Sequence, residues 1–216
     1  MHDYFDGHSV SHHIGREPIT QGLFQQLDLG HTSLEAELKQ CYDELLVLSD
    51  MTDEVYVVMS NHHEFLWRYL NEGRYVKDLE NSRFAFKLAS YMAERDLNDP
   101  VEHGIRMFGK LPKNIKFLKR NDSLKVRGIE LAAHGDKGVG FGYGSMKSKE
   151  EDYGKSVTGH GHTAQTWRWT WMVGCQLYLD EHYMRGGPSA WSNSNGIIYV
   201  SGAFQHLMIE DGEYRI

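Results

Sequence analysis

The chain has 216 residues, 40% hydrophobic and 12% aromatic, enough apolar surface for a packed core, which excludes a disordered chain. A formal net charge of −7 excludes indiscriminate attraction to polyanions through the global field. No apolar run approaches the roughly 20 residues that span a bilayer, so a helical membrane protein is excluded as well.

The opening, Met1-His2-Asp3-Tyr4-Phe5-Asp6-Gly7-His8, has no basic region followed by an apolar stretch, so no signal peptide is expected. Residues 1 to about 32 are polar and rich in Gly and His, with little periodicity, and read as a long functional loop. From Ser33 the pattern changes. Leu34, Leu38, Cys41, Leu45 and Leu48 recur at steps of four and three, the stripe of an amphipathic helix that Thr32 or Ser33 can cap. Val55-Tyr56-Val57-Val58-Met59 is a short apolar run, the mark of a strand buried on both faces. It stops at Ser60-Asn61-His62-His63, and a helix is predicted from Glu64 to Leu70. Residues 81–109 read as helical, with Phe84, Leu88, Tyr91 and Met92 on one side. Lys110, Lys113, Lys116, Lys119, Arg120, Lys125 and Arg127 then crowd one stretch, either a solvated loop or a contact for a phosphate backbone.

Residues 129–133 read as a second buried strand, ending in His134-Gly135-Asp136. The Gly-rich loop from Gly138 to Ser145 lacks the ending of a phosphate loop and the downstream acid of a dinucleotide fold. A third strand, Ser156-Val157-Thr158, leads into Gly159-His160-Gly161-His162, and the alternation of Trp167, Trp169 and Trp171 predicts a strand beyond it. Turn signals at Gly186-Gly187-Pro188, Asn193 to Gly196 and Asp211-Gly212 make the tail an antiparallel sheet. Cys41 and Cys175 share no metal-type spacing and read as reduced packing residues of a cytosolic protein.

Three segments thus place metal-ligand residue types directly after a buried strand, where α/β folds bind ligands: Asn61-His62, His134, and His160 with His162. A fourth, Asp3 to Asp6, opens the chain. A lone histidine is an ordinary core or surface residue, but three such groups at strand ends are not explained by packing. Imidazole and carboxylate together suit Mn, Fe, Zn or Ni, whereas Mg and Ca favour oxygen sets.

The order of these motifs resembles the calcineurin-like metallophosphoesterase superfamily. His2-Asp3-Tyr4-Phe5-Asp6 is similar to its Gly-Asp-x-x-Asp motif, Ser60-Asn61-His62-His63-Glu64 to Gly-Asn-His-Asp/Glu, His134 to its lone histidine, and Gly159-His160-Gly161-His162 to Gly-His-x-His. The stretches from Asp6 to His13 and from Gly186 to Asn193 are similar in style to the phage branch, including tailed-phage pre-early DNases. The resemblance implies one α/β domain over 1–216, a β-sandwich flanked by helices, N-terminally truncated because no Asp-x-His strand end precedes Asp3. It further implies a centre of two divalent transition metals, Mn foremost. Asp3 would bridge the two ions. Asn61, His134 and His160 would complete metal site B, and His162 would bind at the less complete site A. His62 would be the catalytic proton donor, and His12 and His13 would contact substrate.

Two departures from the family's motifs are Gly replaced by His2 and by Ser60. A third is His63, which stands where the family has the acid that orients the proton donor; Glu64 could substitute. The expected activity is a cytoplasmic DNA phosphodiesterase, in the host cytoplasm if the chain is phage-encoded, with DNA as substrate, no membrane partner, and an oligomer or a longer partner chain. Two other readings stay open. One is a phosphoprotein or small-molecule phosphatase; the other is a non-catalytic scaffold or assembly partner of a full-length nuclease.

Overall fold

The computed structural model of the chain describes residues 1–11, 32–95, 97–137, 145–177, 179 and 189–215. His12, His13, the glycine loop over 138–144 and the turn at 186–188 lie outside the described residues. The architecture is mixed α/β, as expected, and the chain packs as two compact units. The first comprises Met1, Asp3–Val57 and Asn61–Phe117; the second comprises His2, Val58–Ser60 and Leu118–Ile216.

Helices dominate the first unit. Helix α1 (Leu34–Met51) begins where the stripe begins, with Ser33 Oγ accepting from the Ala36 amide at 3.2 Å and Glu35 and Glu37 in the first turn. Its buried face is Leu34, Leu38, Cys41 and Leu45. Strand β1 (Val55–Val58) follows, then α2 (Asn61–Asn71), α3 (Ser82–Arg95) and α4 (Pro100–Arg106). Helix α2 starts three residues earlier than expected, so Asn61, His62 and His63 form its first turn and not a loop. The single helix expected over 81–109 is two. Asp99 accepts from the amides of Val101 and Glu102, and Pro100 occupies the first helical position, which restarts the chain in a new direction. A Cβ on Gly104 would lie 2.7 Å from Leu38 Cδ1, so α4 approaches α1 closely. Strand β2 (Ile115–Leu118) pairs with β1. Phe5, Leu38, Leu66, Leu88, Val101 and Ile105 lie in one apolar core. A buried polar latch ties it: Asn81 accepts from the Leu34 amide at 2.7 Å and donates to Thr32 O and Asp78 Oδ2.

The second unit is built on a sheet ordered β3-β4-β5-β7-β6. These strands are β3 (Lys125–Val126), β4 (Ile129–Glu130), β5 (Ser156–Thr158), β6 (Gln165–Trp167) and β7 (Thr170–Met172). The central three run parallel and the two edges antiparallel. Helix α5 (Met146–Tyr153) is the crossover from β4 to β5 and packs over β5, β6 and β7. Ile129, Val157 and Trp171 make the core, with Phe204 stacked on Trp171 at 4.9 Å between ring centroids.

Two expectations change here. The strand expected over 129–133 stops at Glu130, because the Ala132 amide is taken by the Glu130 carboxylate at 2.9 Å and no longer serves a neighbouring strand. The tryptophan alternation is a hairpin and not one strand: Arg168, at φ 48°, turns the chain between β6 and β7. The tail is antiparallel as expected, in β8 (Asn193–Ile198), β9 (Phe204–Glu210) and β10 (Glu213–Arg215). Among the described residues no helix is long and apolar enough to cross a membrane.

Candidate metal centre

The register of two strands brings the first two histidines together. β4 and β5 pair in parallel with Glu130 opposite Ser156. Four residues further along each strand stand His134 and His160, at the same carboxyl edge of the sheet. The Gly159 amide donates to His134 O at 3.0 Å and carries the alignment past the strands' ends. The rings meet edge to face, 5.2 Å between centroids and 78° between planes, and a ring nitrogen of each lies within 4.8 Å of one on the other.

Two anchored carboxylates hold the His134 segment. Glu130 accepts from the amides of Leu124, Leu131 and Ala132 at 2.9–3.1 Å and from the Ser123 hydroxyl. Burial opposes its ionisation, but these donors hold its pKa below the ordinary carboxylate value. Beyond His134, Asp136 accepts from Arg120 at 2.5 Å. Burial opposes its charge too, and the Arg120 hydrogen bond and charge, with His134, outweigh that and hold the acid ionised. His134 itself is 3% exposed.

The Gly-His-x-His segment carries left-handed backbone at two non-glycine residues. His160 and His162 have φ of 69° and 55°, and Asp3 has 46°. The other described non-glycine residues with positive φ are Arg127, Arg168 and Asp211, each in the turn of a β-hairpin. Left-handed conformations cost non-glycine residues on the order of 1–3 kcal/mol each and cluster at ligand sites. Here the ones not explained by hairpin turns are the residues that the motif order made ligands. The two glycines are places of close approach: a Cβ on Gly159 would lie 2.6 Å from His2 Cβ, and one on Gly161 would lie 2.2 Å from Met172 Sδ. The His162 ring stands edge-on to Trp191, 4.0 Å between centroids, and its carbonyl accepts from the Ser192 amide.

A further imidazole went unread in the sequence. His2 packs in the second unit and stacks on His134, 5.8 Å between centroids and 28° between planes. Read only as a replaced motif glycine, it is a side chain of the site, and its position beside Asp3 was the signal. His134 and His160 bring borderline nitrogen donors within 4.8 Å of each other, of the kind that suit Mn, Fe, Zn or Ni.

The first unit carries Asp3, Asn61 and His62. Asn61 opens α2. His62 stacks on Phe65 at 5.0 Å, and its Nδ1 lies 3.7 Å from Asp6 Oδ1. A carboxylate near His62 is Asp6, while Glu64, named as a possible substitute for the orienting acid, reaches Arg68 at 3.6 Å. His63 is buried among the packing residues of α2. Glu37 on α1 fixes the Asp6 segment by accepting from the Gly7 amide at 2.5 Å and from the Ser9 hydroxyl at 2.5 Å. Burial raises the Glu37 pKa.

The basic stretch is partly spoken for. Lys116 pairs with Glu54 and lies over the Tyr56 ring, and Arg120 serves Asp136, whereas Lys113, Lys119, Lys125 and Arg127 are exposed.

No family profile matches the chain, and no solved structure does. Over 224 aligned residues, 99% of the chain is similar to Protein A1 of Escherichia phage T5, at 27% identity. The chain spans 39% of that protein's length, so the similarity is to a part of a longer phage protein.

Proposed function

We propose that the chain is a metal-dependent phosphoesterase acting on the phosphodiester backbone of DNA. The observation that carries this reading is the convergence of His134 and His160 at the carboxyl edge of two parallel strands. His134, His160 and His162 would hold metal, with Asp3 and Asn61 the further ligands that the motif order implies. Bound there, two divalent ions would supply an activated water and neutralise charge on the phosphoryl oxygens.

The chain's own residues would do the remainder. His62 would donate the proton to the leaving oxygen, with the Asp6 carboxylate 3.7 Å from its Nδ1. The strained His160 and His162 backbone would keep their rings aimed before substrate arrives. A polymeric substrate is favoured by the exposed Lys113, Lys119, Lys125 and Arg127 for phosphates. Trp167 and Trp169, 41% and 62% exposed, offer faces on which bases can stack.

The test is cleavage of DNA by the full chain with Mn(II), alongside His160→Ala and His62→Ala. Cleavage that depends on Mn and falls in both variants supports the reading. Equal activity in the wild type and the His160 variant would overturn it.

A further inference from the structure

Lysine is seldom buried, yet Lys149 on α5 is 2% exposed. Its Nζ lies 3.3 Å from Thr158 Oγ1 and 3.3 Å from Met172 Sδ, at the ends of β5 and β7. Among the described residues these are its direct partners: one neutral hydroxyl and one thioether, which is a weak acceptor. Asp136, whose charge acts on the Lys149 amine, is committed to Arg120. A buried ammonium without a close carboxylate is costly, and such a group persists where something else needs its charge.

Lys149 lines a cavity of about 320 Å³, together with Ser145, Met146, His160, Gly161, Gln165 and Met172. The cavity lies at the carboxyl edge of the sheet and includes the first turn of α5, whose positive dipole end adds to the amine. Its chemistry is that of an anion pocket: an ammonium, a helix start, a hydroxyl and an amide, with methionine walls that keep the dielectric low. It shares His160 with the proposed metal centre.

We propose that this cavity is a second phosphate subsite, in which Lys149 holds a phosphate group of the substrate next to the one being cleaved. The proposal rests on the phosphoesterase reading for the identity of the substrate, but the pocket's affinity for phosphate can be measured apart from it. Burial and the lack of a carboxylate partner among the described residues are what make Lys149 available, since an amine already paired would gain less from an anion. A point charge on a lysine suits a phosphate that must enter and leave.

Inorganic phosphate is the probe, titrated into the full chain kept metal-free with EDTA and followed by calorimetry. A second readout is the Lys149 ε-carbon NMR resonance, which requires no variant. Phosphate should bind, move that resonance, and raise the melting temperature. Lys149→Met should weaken phosphate binding by about ten- to a hundredfold, as loss of a charge-assisted hydrogen bond does, while keeping the folded spectrum. A 5′-phosphorylated oligodeoxynucleotide should move the same resonance, separating substrate phosphate from the free ion. Phosphate that binds without moving the Lys149 resonance, unchanged binding in Lys149→Met, or no binding at all would overturn the subsite. Metal retention by wild type and His134→Ala distinguishes the two ideas. If metal is held and phosphate is not, the subsite alone falls; if phosphate binds at Lys149 and metal is never held, the metal reading falls.

Discussion

His134 and His160 stand four residues beyond a matched pair, Glu130 and Ser156, on adjacent parallel strands, and their rings meet at 5.2 Å. The pairing follows from register, so it persists in any conformation that keeps β4 beside β5. It also makes the site sensitive to whatever sets the backbone just beyond those strands.

Gly159 is the tightest such place. An added Cβ would meet His2 Cβ at 2.6 Å, and neither atom can swing away without moving backbone. Gly159→Ala should lower the melting temperature and weaken metal binding by at least about tenfold, the scale on which supporting residues act on metal sites. Because alanine at position 2 would retain the clashing Cβ, His2→Gly and not His2→Ala should relieve the strain in the double variant. Thermal melts and metal titrations of the four proteins test this; equal behaviour of the two double variants would contradict it.

Glu130 should make the His134 segment sensitive to acid. Its folded-state pKa is depressed, so its stabilisation is present above the ordinary carboxylate value of 4.5 and is lost as pH falls through the lower folded value. Glu130→Gln should therefore destabilise the chain by about 1–3 kcal/mol at neutral pH, as a charged acceptor of several hydrogen bonds is lost. The gap should close in acid below that folded value. Denaturant melts at the two pH extremes check it.

Lys149 should show the opposite behaviour. Burial lowers its amine from the ordinary 10.5 to about 8. Below about 8 both the folded and unfolded chains carry the proton, so the cost of burying charge is then at its full value. It declines between about 8 and 10.5 and is absent above. Lys149→Met should raise stability at neutral pH by up to ~3 kcal/mol, at 1.36 kcal/mol per pH unit. Melts across that range check the sign, and a less stable variant at neutral pH would contradict it.

For His62, an interaction made mainly in the transition state should appear in kcat. His62→Ala should lower kcat by about 10²–10⁴-fold with little change in KM. Asp6→Asn should give a smaller loss, because it removes a charge 3.7 Å from the ring and not the proton itself. Steady-state cleavage kinetics separate the two, and a rise in KM alone would assign His62 to binding.

The parts of the fold written in local patterns were legible in the sequence. The α1 stripe and its Ser33 cap needed nothing beyond their own neighbours, and the Asp211-Gly212 turn announced the tail hairpin. The misreadings came where a side chain redirected the backbone. Asp99 and Pro100 divided one helix into two, which the cap-then-proline pair could have signalled. Glu130 ended β4 early by capturing an amide that a strand pattern assigns to a neighbour. In the site, His134 and His160 were readable because both end strands, whereas their contact depends on the β4–β5 register, which no local pattern encodes. Asp6 and Lys149 matter through partners far along the chain, so spacing could not reveal them, whereas His2 was marked by its place beside Asp3.

The most direct measurement is the metal content of the purified full chain after loading with Mn(II) or Zn(II) and exhaustive dialysis, compared with His134→Ala and His160→Ala. The account expects the wild type to retain at least one ion and each variant to lose it while keeping its fold. A wild type that retains none, or variants that retain as much as the wild type, would contradict the claim that these strand-end histidines form a metal centre.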